Sequence, residues 1–176
     1  MRAVLAGDRE AYRLLVERES SALIRTCTRI LGDLQEAEDV AQEALVVAFR
    51  SLSTWRGHGP FGAWLSRIGV RLALRRVARR RPVAWVQPEA DPVPRFESAS
   101  DDPVQIALAG ERSQAVRSAV AGLDEPYREV VSLRFFAERS LAEIAVITTR
   151  PVGTVKTHLR RGLLRLRDVV ERSERP

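Results

Sequence analysis

Residues 140–167 read SLAEIAVITTRPVGTVKTHLRRGLLRLR. From Pro151 to Arg167 this stretch carries five basic residues and no acidic one. Ser140 and Glu143 have the spacing of a capping box, in which each side chain satisfies a backbone N–H at the helix start. Leu141, Ile144 and Ala145 then share one helical face. Thr148 to Pro151 forms a short turn. After it Val152, Val155, Leu159, Leu163 and Leu166 recur at three- and four-residue steps, so they are expected to face a core. Arg150, Thr154, Lys156, Thr157, Arg160 and Arg161 take the remaining surface.

A short capped helix, a tight turn and a longer basic helix describe a helix-turn-helix. The second helix of such a unit lies in a DNA major groove, with early residues at base edges. Its free N-terminal amides can meet a phosphate, and threonine hydroxyls can meet phosphate or base. The plainer alternative is an ordinary amphipathic surface helix. The capping box, the turn length and the missing acids weigh against it.

Composition agrees with a nucleic-acid partner. The 176 residues carry a net charge of +6, with a sequence pI near 10.7, a balance that favours an acidic partner. Ala, Leu, Arg and Glu dominate, all good helix formers, and an all-α protein follows. Lys156 is the only lysine, which by itself reflects compositional bias; where the arginines fall is more informative. Cys27 is the only cysteine, so no intrachain disulfide can form. With His58 and His158 it offers no obvious metal site, and no cofactor is expected. The start of the chain is charged too early for a signal peptide, and no run has the apolar length of a membrane span. The chain reads as cytoplasmic, with no membrane insertion.

Charge is laid out in blocks. Residues 30–49 hold Asp33, Glu36, Glu38, Asp39 and Glu43 without a basic residue. Asp33 can cap a helix there, and acids near a helix N-terminus also suit its dipole. That structural account leaves Gln42 and Glu43, farther along, unexplained. Val40, Ala44, Val47 and Ala48 are the expected apolar stripe. Residues 65–81 reverse the sign. Arg67, Arg71, Arg75 and Arg79 recur every four positions, beside Arg76, Arg80 and Arg81 and no acid. Like charges at this spacing repel, so the expected exposed stripe favours a polyanion over mere solvation. Phe61, Trp64, Leu65, Ile68, Leu72 and Leu74 are expected inward. Residues 82–112 hold five of the nine prolines and more acids than bases, which predicts a linker between two helical domains. The predicted helices lie near 8–31, 33–52 and 60–80, then 104–121, 126–137, 140–147 and 151–171.

Taken together, these pieces resemble a known family. AGDREAYRLLVER (6–18), LGDLQEAEDVAQEALVVAFRSL (31–52), WRGHGPFGAWLSRIGVRLALRRVARRR (55–81) and LDEPYREVVSLRFFAERSLAEIAVITTRPVGTVKTHLRRGLLRLR (123–167) are similar, in this order, to the extracytoplasmic-function (group IV) sigma factors of bacterial RNA polymerase. The resemblance covers nearly the whole chain. It implies sigma region 2 in residues 1–81, a flexible acidic linker in 82–112, and sigma region 4 with its helix-turn-helix in 113–176.

The resemblance also implies roles. Glu36, Asp39, Gln42 and Glu43 match the core-binding motif that meets the β′ coiled coil. Arg56 to Gly62, with His58, matches the loop that captures a flipped −10 base, an extrusion that costs a few kcal/mol. Arg67, Arg71, Arg75, Arg76 and Arg79 would hold the −10 strand. Arg150, Thr154, Lys156, Thr157, Arg160 and Arg161 would read the −35 element. Partners implied are the core polymerase β′ and β subunits, promoter DNA and an anti-sigma factor. Family members often have Asn and Asp where this chain has Arg71 and Arg75, so contacts there read as more electrostatic. They usually have Gly where this chain has Thr149. A left-handed Thr is strained, which predicts a turn of another shape.

Three other function classes fit parts of the sequence. TVKTHL also resembles the DNA-binding helix of response regulators, so one alternative is a self-sufficient helix-turn-helix regulator, which would bind duplex DNA without polymerase. A nuclease would need clustered carboxylates or histidines for metal or acid–base work. A plain interaction module would bind acidic proteins through its arginine faces.

Overall fold

The computed structural model describes residues 4, 8–55, 57, 59–79 and 103–173. Among them, all regular structure is helical. The first three helices are α1 (Arg9–Leu31), α2 (Leu34–Arg50) and α3 (Phe61–Arg79), with a 3-10 turn at Leu52–Thr54. The last four are α4 (Pro103–Ala121), α5 (Tyr127–Phe135), α6 (Leu141–Thr148) and α7 (Val152–Ser173). Every predicted helix is present, with ends shifted by a few residues. Arg56, His58, Arg80, Arg81 and the part of the predicted linker before Pro103 lie outside the described residues.

Local chemistry sets the helix ends. Asp8 accepts from the amides of Glu10 and Ala11 and starts α1. Gly32 ends it at φ +76°, a conformation that favours glycine, with its N–H on the Thr28 carbonyl. One residue later the Asp33 carboxylate accepts the Glu36 amide and starts α2. Leu23, Cys27 and Ile30 of α1, Val40, Ala44 and Ala48 of α2, and Leu65, Val70 and Ala73 of α3 form the buried centre. The alanines on α2 let its backbone come close to its neighbours. Burial pushes the Cys27 thiol up to about 12, so it stays protonated and unreactive at neutral pH.

Several inward assignments change. Val47 is 36% exposed. Trp64, Ile68 and Leu72 of α3 are only half-buried, while Gly69, Ala73 and Val77 take fully buried places. On α7, Val152 and Leu163 are each 41% exposed. The inward stripe is Val155, Leu159, Gly162 and Leu166, stepping by four, three and four. Gly162 is where α7 lies against α5: a Cβ there would stand 2.7 Å from Val131 Cγ2 and 3.3 Å from Tyr127 Cβ. Gly162→Ala is therefore expected to force the two helices apart and cost about 1–3 kcal/mol. Thermal unfolding of the purified chain checks this; an unchanged Tm would show that the pair separates without cost.

The first three helices and the last four pack as one body. Helix α3 runs against α4, α5 and α6, and Ile144, Ile147, Leu133 and Val130 belong to the same apolar cluster as the α1–α3 core.

Candidate nucleic-acid interface

The turn before α7 is built by hydrogen bonds from both sides. The Ser140 hydroxyl accepts the Glu143 amide at 3.2 Å and the Glu143 carboxylate accepts the Ser140 amide at 2.9 Å, a complete capping box. At the other end of α6, the Thr149 amide donates to Val146 O at 3.2 Å and the Arg150 amide to Ala145 O at 2.9 Å. This is a Schellman closure, and it requires a left-handed residue. Thr149 supplies it at φ 56°, ψ 42°, so the turn keeps its shape and the expectation of a different one is corrected. The capped helices on either side impose the geometry and the side chain bears the strain. A left-handed non-glycine residue costs about 1–2 kcal/mol, partly offset by the chain entropy that glycine would lose. Thr149→Gly is expected to raise Tm by a few degrees. A lower Tm in a thermal melt would refute the strain.

Beyond the turn, Lys156, Thr157, Arg160 and Arg161 are exposed and Thr154 is half-buried. The Thr157 hydroxyl donates back to Gly153 O at 3.0 Å. His158 sits edge-on to Tyr127, with ring centroids 5.8 Å apart. Burial and the charges of Arg150 and Arg161 push its pKa down, so it is neutral at neutral pH. Leu141, Leu159, Leu163 and Leu164 floor a groove of about 420 Å³ rimmed by Lys156, Arg160 and Arg167. The face read from sequence as basic and hydroxyl-bearing thus also carries apolar area.

On α2, Asp39, Gln42 and Glu43 are exposed and Glu36 is half-buried. The same side continues into Val46 and Phe49, exposed by 49% and 48%. The sequence reading missed these two, although their three-residue step from Glu43 and Val46 signals a shared face. An acidic strip thus runs into exposed apolar residues along one side of α2.

On α3, Arg75, Arg76 and Arg79 are exposed. Arg71 shares that exposure, with 54% of its side chain open, and only Arg67 leaves the expected solvent stripe, half-buried. Arg67 Nε and Arg71 Nη2 both donate to Glu129 Oε1 at 2.8 Å, and Arg67 Nη1 donates to Ile147 O at 2.6 Å. Arg150 Nη1 reaches the other oxygen, Oε2, at 3.0 Å. Glu129 is 3% exposed. Burial alone would raise the pKa of its carboxyl. The Arg67 hydrogen bond, the charges of Arg67 and Arg71 and the Arg150 bond outweigh that and hold it below the usual glutamate range. A depressed carboxyl stabilises the fold above the ordinary value, about 4.3. That stabilisation is lost as pH falls through the lower folded value. Sequence reasoning missed Glu129 because its partners lie on other helices.

A helical bundle closed by a basic helix-turn-helix defines a DNA-binding, all-α protein. The family described as Sigma-70 region 2 matches residues 15–83, and that described as Sigma-70, region 4 matches residues 113–166. The ECF RNA polymerase sigma factor SigW of Bacillus subtilis is 31% identical over 173 residues, 95% of this chain and 92% of that protein. The ECF RNA polymerase sigma-E factor of Escherichia coli is 33% identical over 183 aligned positions, 98% of this chain and 91% of that protein. The chain belongs to the extracytoplasmic-function RNA polymerase sigma factors, which are transcription initiation factors. Two solved structures share the fold. CnrH in complex with the cytosolic domain of CnrY has a TM-score of 0.60 at 24% identity, covering 97% of this chain and 94% of that one. The sigma factor RpoE in complex with the anti-sigma factor NepR from Bartonella quintana has a TM-score of 0.51 at 20% identity, covering 92% and 98%. Family membership decides against the self-sufficient regulator and the nuclease. No helix among the described residues is long and apolar enough to cross a membrane.

Proposed function

We propose that this sigma factor works in the cytoplasm through three separate surfaces and has no catalytic activity of its own. Residues 1–81 dock on core polymerase and open the −10 element. Residues 82–112 connect, and residues 113–176 read the −35 element. Glu36, Asp39, Gln42 and Glu43 meet the β′ subunit, with Val46 and Phe49 adding apolar contact. Arg56 and His58 hold the opened −10 strand, and Arg67, Arg71, Arg75, Arg76 and Arg79 neutralise its phosphates. Arg150, Thr154, Lys156, Thr157, Arg160 and Arg161 lie along the −35 duplex, with region 4 near the β subunit.

The observation that carries this reading is the acid-free, exposed start of α7, set behind a fully capped α6. It offers cations, hydroxyls and free amides on one convex face, which suits a major groove. An anti-sigma factor is a further proposed partner. The apolar groove with its basic rim at Lys156, Arg160 and Arg167 suits an acidic amphipathic helix. Run-off transcription with purified core polymerase over a pool of genomic promoters tests the function. The expected result is a discrete set of transcripts that appears only when this chain is added; no chain-dependent transcripts would overturn it.

A further inference from the structure

The packing of α1 on α3 ends in a charge. Glu19, Leu23 and Cys27 step by four along α1, so they share one face. That face lies on Gly62 and Gly69 of α3. A Cβ at Gly69 would stand 2.6 Å from Leu23 Cδ1 and 3.6 Å from Cys27 Sγ. A Cβ at Gly62 would stand 2.9 Å from Glu19 Cδ, and closer still to its Oε2. Leu23 and Cys27 are buried. The Glu19 side chain is 18% exposed, with its Oε1 2.9 Å from Arg18 Nε.

An apolar residue would continue this face and cost less to bury. What a carboxylate adds is charge, and Gly62 lies in the first turn of α3. The amides of Ala63 and Trp64 close on Pro60 O at 3.1 and 3.3 Å; the amides before them have no acceptor within the helix. That turn has no acid of its own. Glu19 brings a negative charge from α1 to the positive end of α3. The same charge opposes DNA binding, because α3 carries the arginines read as phosphate contacts and a carboxylate repels the strand they would hold. The loop before α3 is what such a charge can hold in place. Gly57 and Gly59 take left-handed conformations there, at φ +74° and +78°. Glycine constrains its own backbone least, so the position of this loop depends on what fixes its ends.

We propose that Glu19 is a positioning residue for strand opening: its carboxylate, held against the first turn of α3 at Gly62, fixes the loop before that helix in the form that takes the −10 strand. This rests on the reading of that loop as the place where the opened strand is held. Gly62 is the other half of the contact, because only the lack of a Cβ lets the carboxylate lie on the helix.

The test uses holoenzyme assembled from the full-length chain and core polymerase, on a promoter taken from the chain-dependent run-off transcripts. Glu19→Gln removes the charge and keeps the side-chain size. Gly62→Ala keeps the charge and pushes the carboxylate off the helix. Permanganate reactivity of the −10 region, followed in time, should show opening slowed about tenfold in each, the size of a partly buried charge's effect at a helix end. Binding to a duplex −35 probe should be unchanged in both. Ala favours a helix more than Gly does, so Gly62→Ala should keep or raise Tm while opening slows; a merely structural contact would move the two together. Added to Glu19→Ala, where the Cβ has room, Gly62→Ala should slow opening no further. Opening at the parent rate in either folded single variant, or a loss that tracks Tm, would overturn the positioning role. Gly62→Ala keeps the test decisive if Glu19→Gln fails to fold. Arg56→Ala with His58→Ala checks the underlying reading separately. If that pair blocks opening while the Glu19 and Gly62 variants do not, only the positioning role falls. If that pair opens normally, or no chain-dependent transcript exists, the reading of the loop falls and the positioning role with it.

Discussion

Asp39→Arg combined with Glu43→Arg is expected to abolish binding to core polymerase and leave the fold unchanged. Both side chains are exposed on α2, four residues apart and so on one face. The buried side of that helix is made of Ala37, Val40, Ala41, Ala44 and Ala48, none of which the substitutions touch. The cap is Asp33, which is also left alone. Reversing two charges on a docking face turns attraction into repulsion at each position. Like charges brought together at an interface cost several kcal/mol, so affinity is expected to fall ~100-fold or more. Co-purification with core enzyme, beside circular dichroism of the free variant, checks the result. Normal co-purification would show that this face does not dock. Val46→Ala with Phe49→Ala should weaken binding less, because those positions contribute area without charge. Equal or greater loss in that pair would make the contact mainly apolar.

The helices were legible because caps and apolar spacing are local. Asp33 and Ser140 start their helices where the sequence places them. What the sequence hid depends on contacts between distant residues. Leu163 reads as a core residue on hydropathy, yet the inward place belongs to Gly162. Helix α7 approaches α5 too closely there for a side chain. Thr149 looks unsuited to a left-handed turn, but two capped helices force that conformation on it. The arginine stripe is largely exposed, as read, but no acid near it in sequence hints that two of its members are paired. Its neutralising carboxylate, Glu129, comes from a helix some sixty residues away. Periodicity reports which face of a helix is buried, and long-range pairing lies outside what it can report.

Lys156→Ala with Arg160→Ala is expected to abolish stable binding to a −35 duplex and to spare transcription from a template already melted around −10. Both side chains are exposed on α7, one turn apart, and no described ion pair joins either to another residue. If they contact phosphates, the pair should weaken all sequences alike and flatten the salt dependence by about 0.9 per contact. If they read bases, each good contact is worth ~1–3 kcal/mol of discrimination, and the loss should concentrate at particular base pairs. Titration of a duplex probe at several salt concentrations separates the two. Neither side chain belongs to the α7 core stripe of Val155, Leu159, Gly162 and Leu166, so the fold should hold. Arg56→Ala with His58→Ala is expected to act at the opposite step: closed complexes form, and opening fails. Permanganate footprinting of the −10 bubble reads that step directly. The comparison is decisive because the two pairs lie far apart in the chain and are assigned to different states of the DNA. If both pairs lose the same step to the same extent, the two surfaces do not divide the work between duplex reading and strand opening.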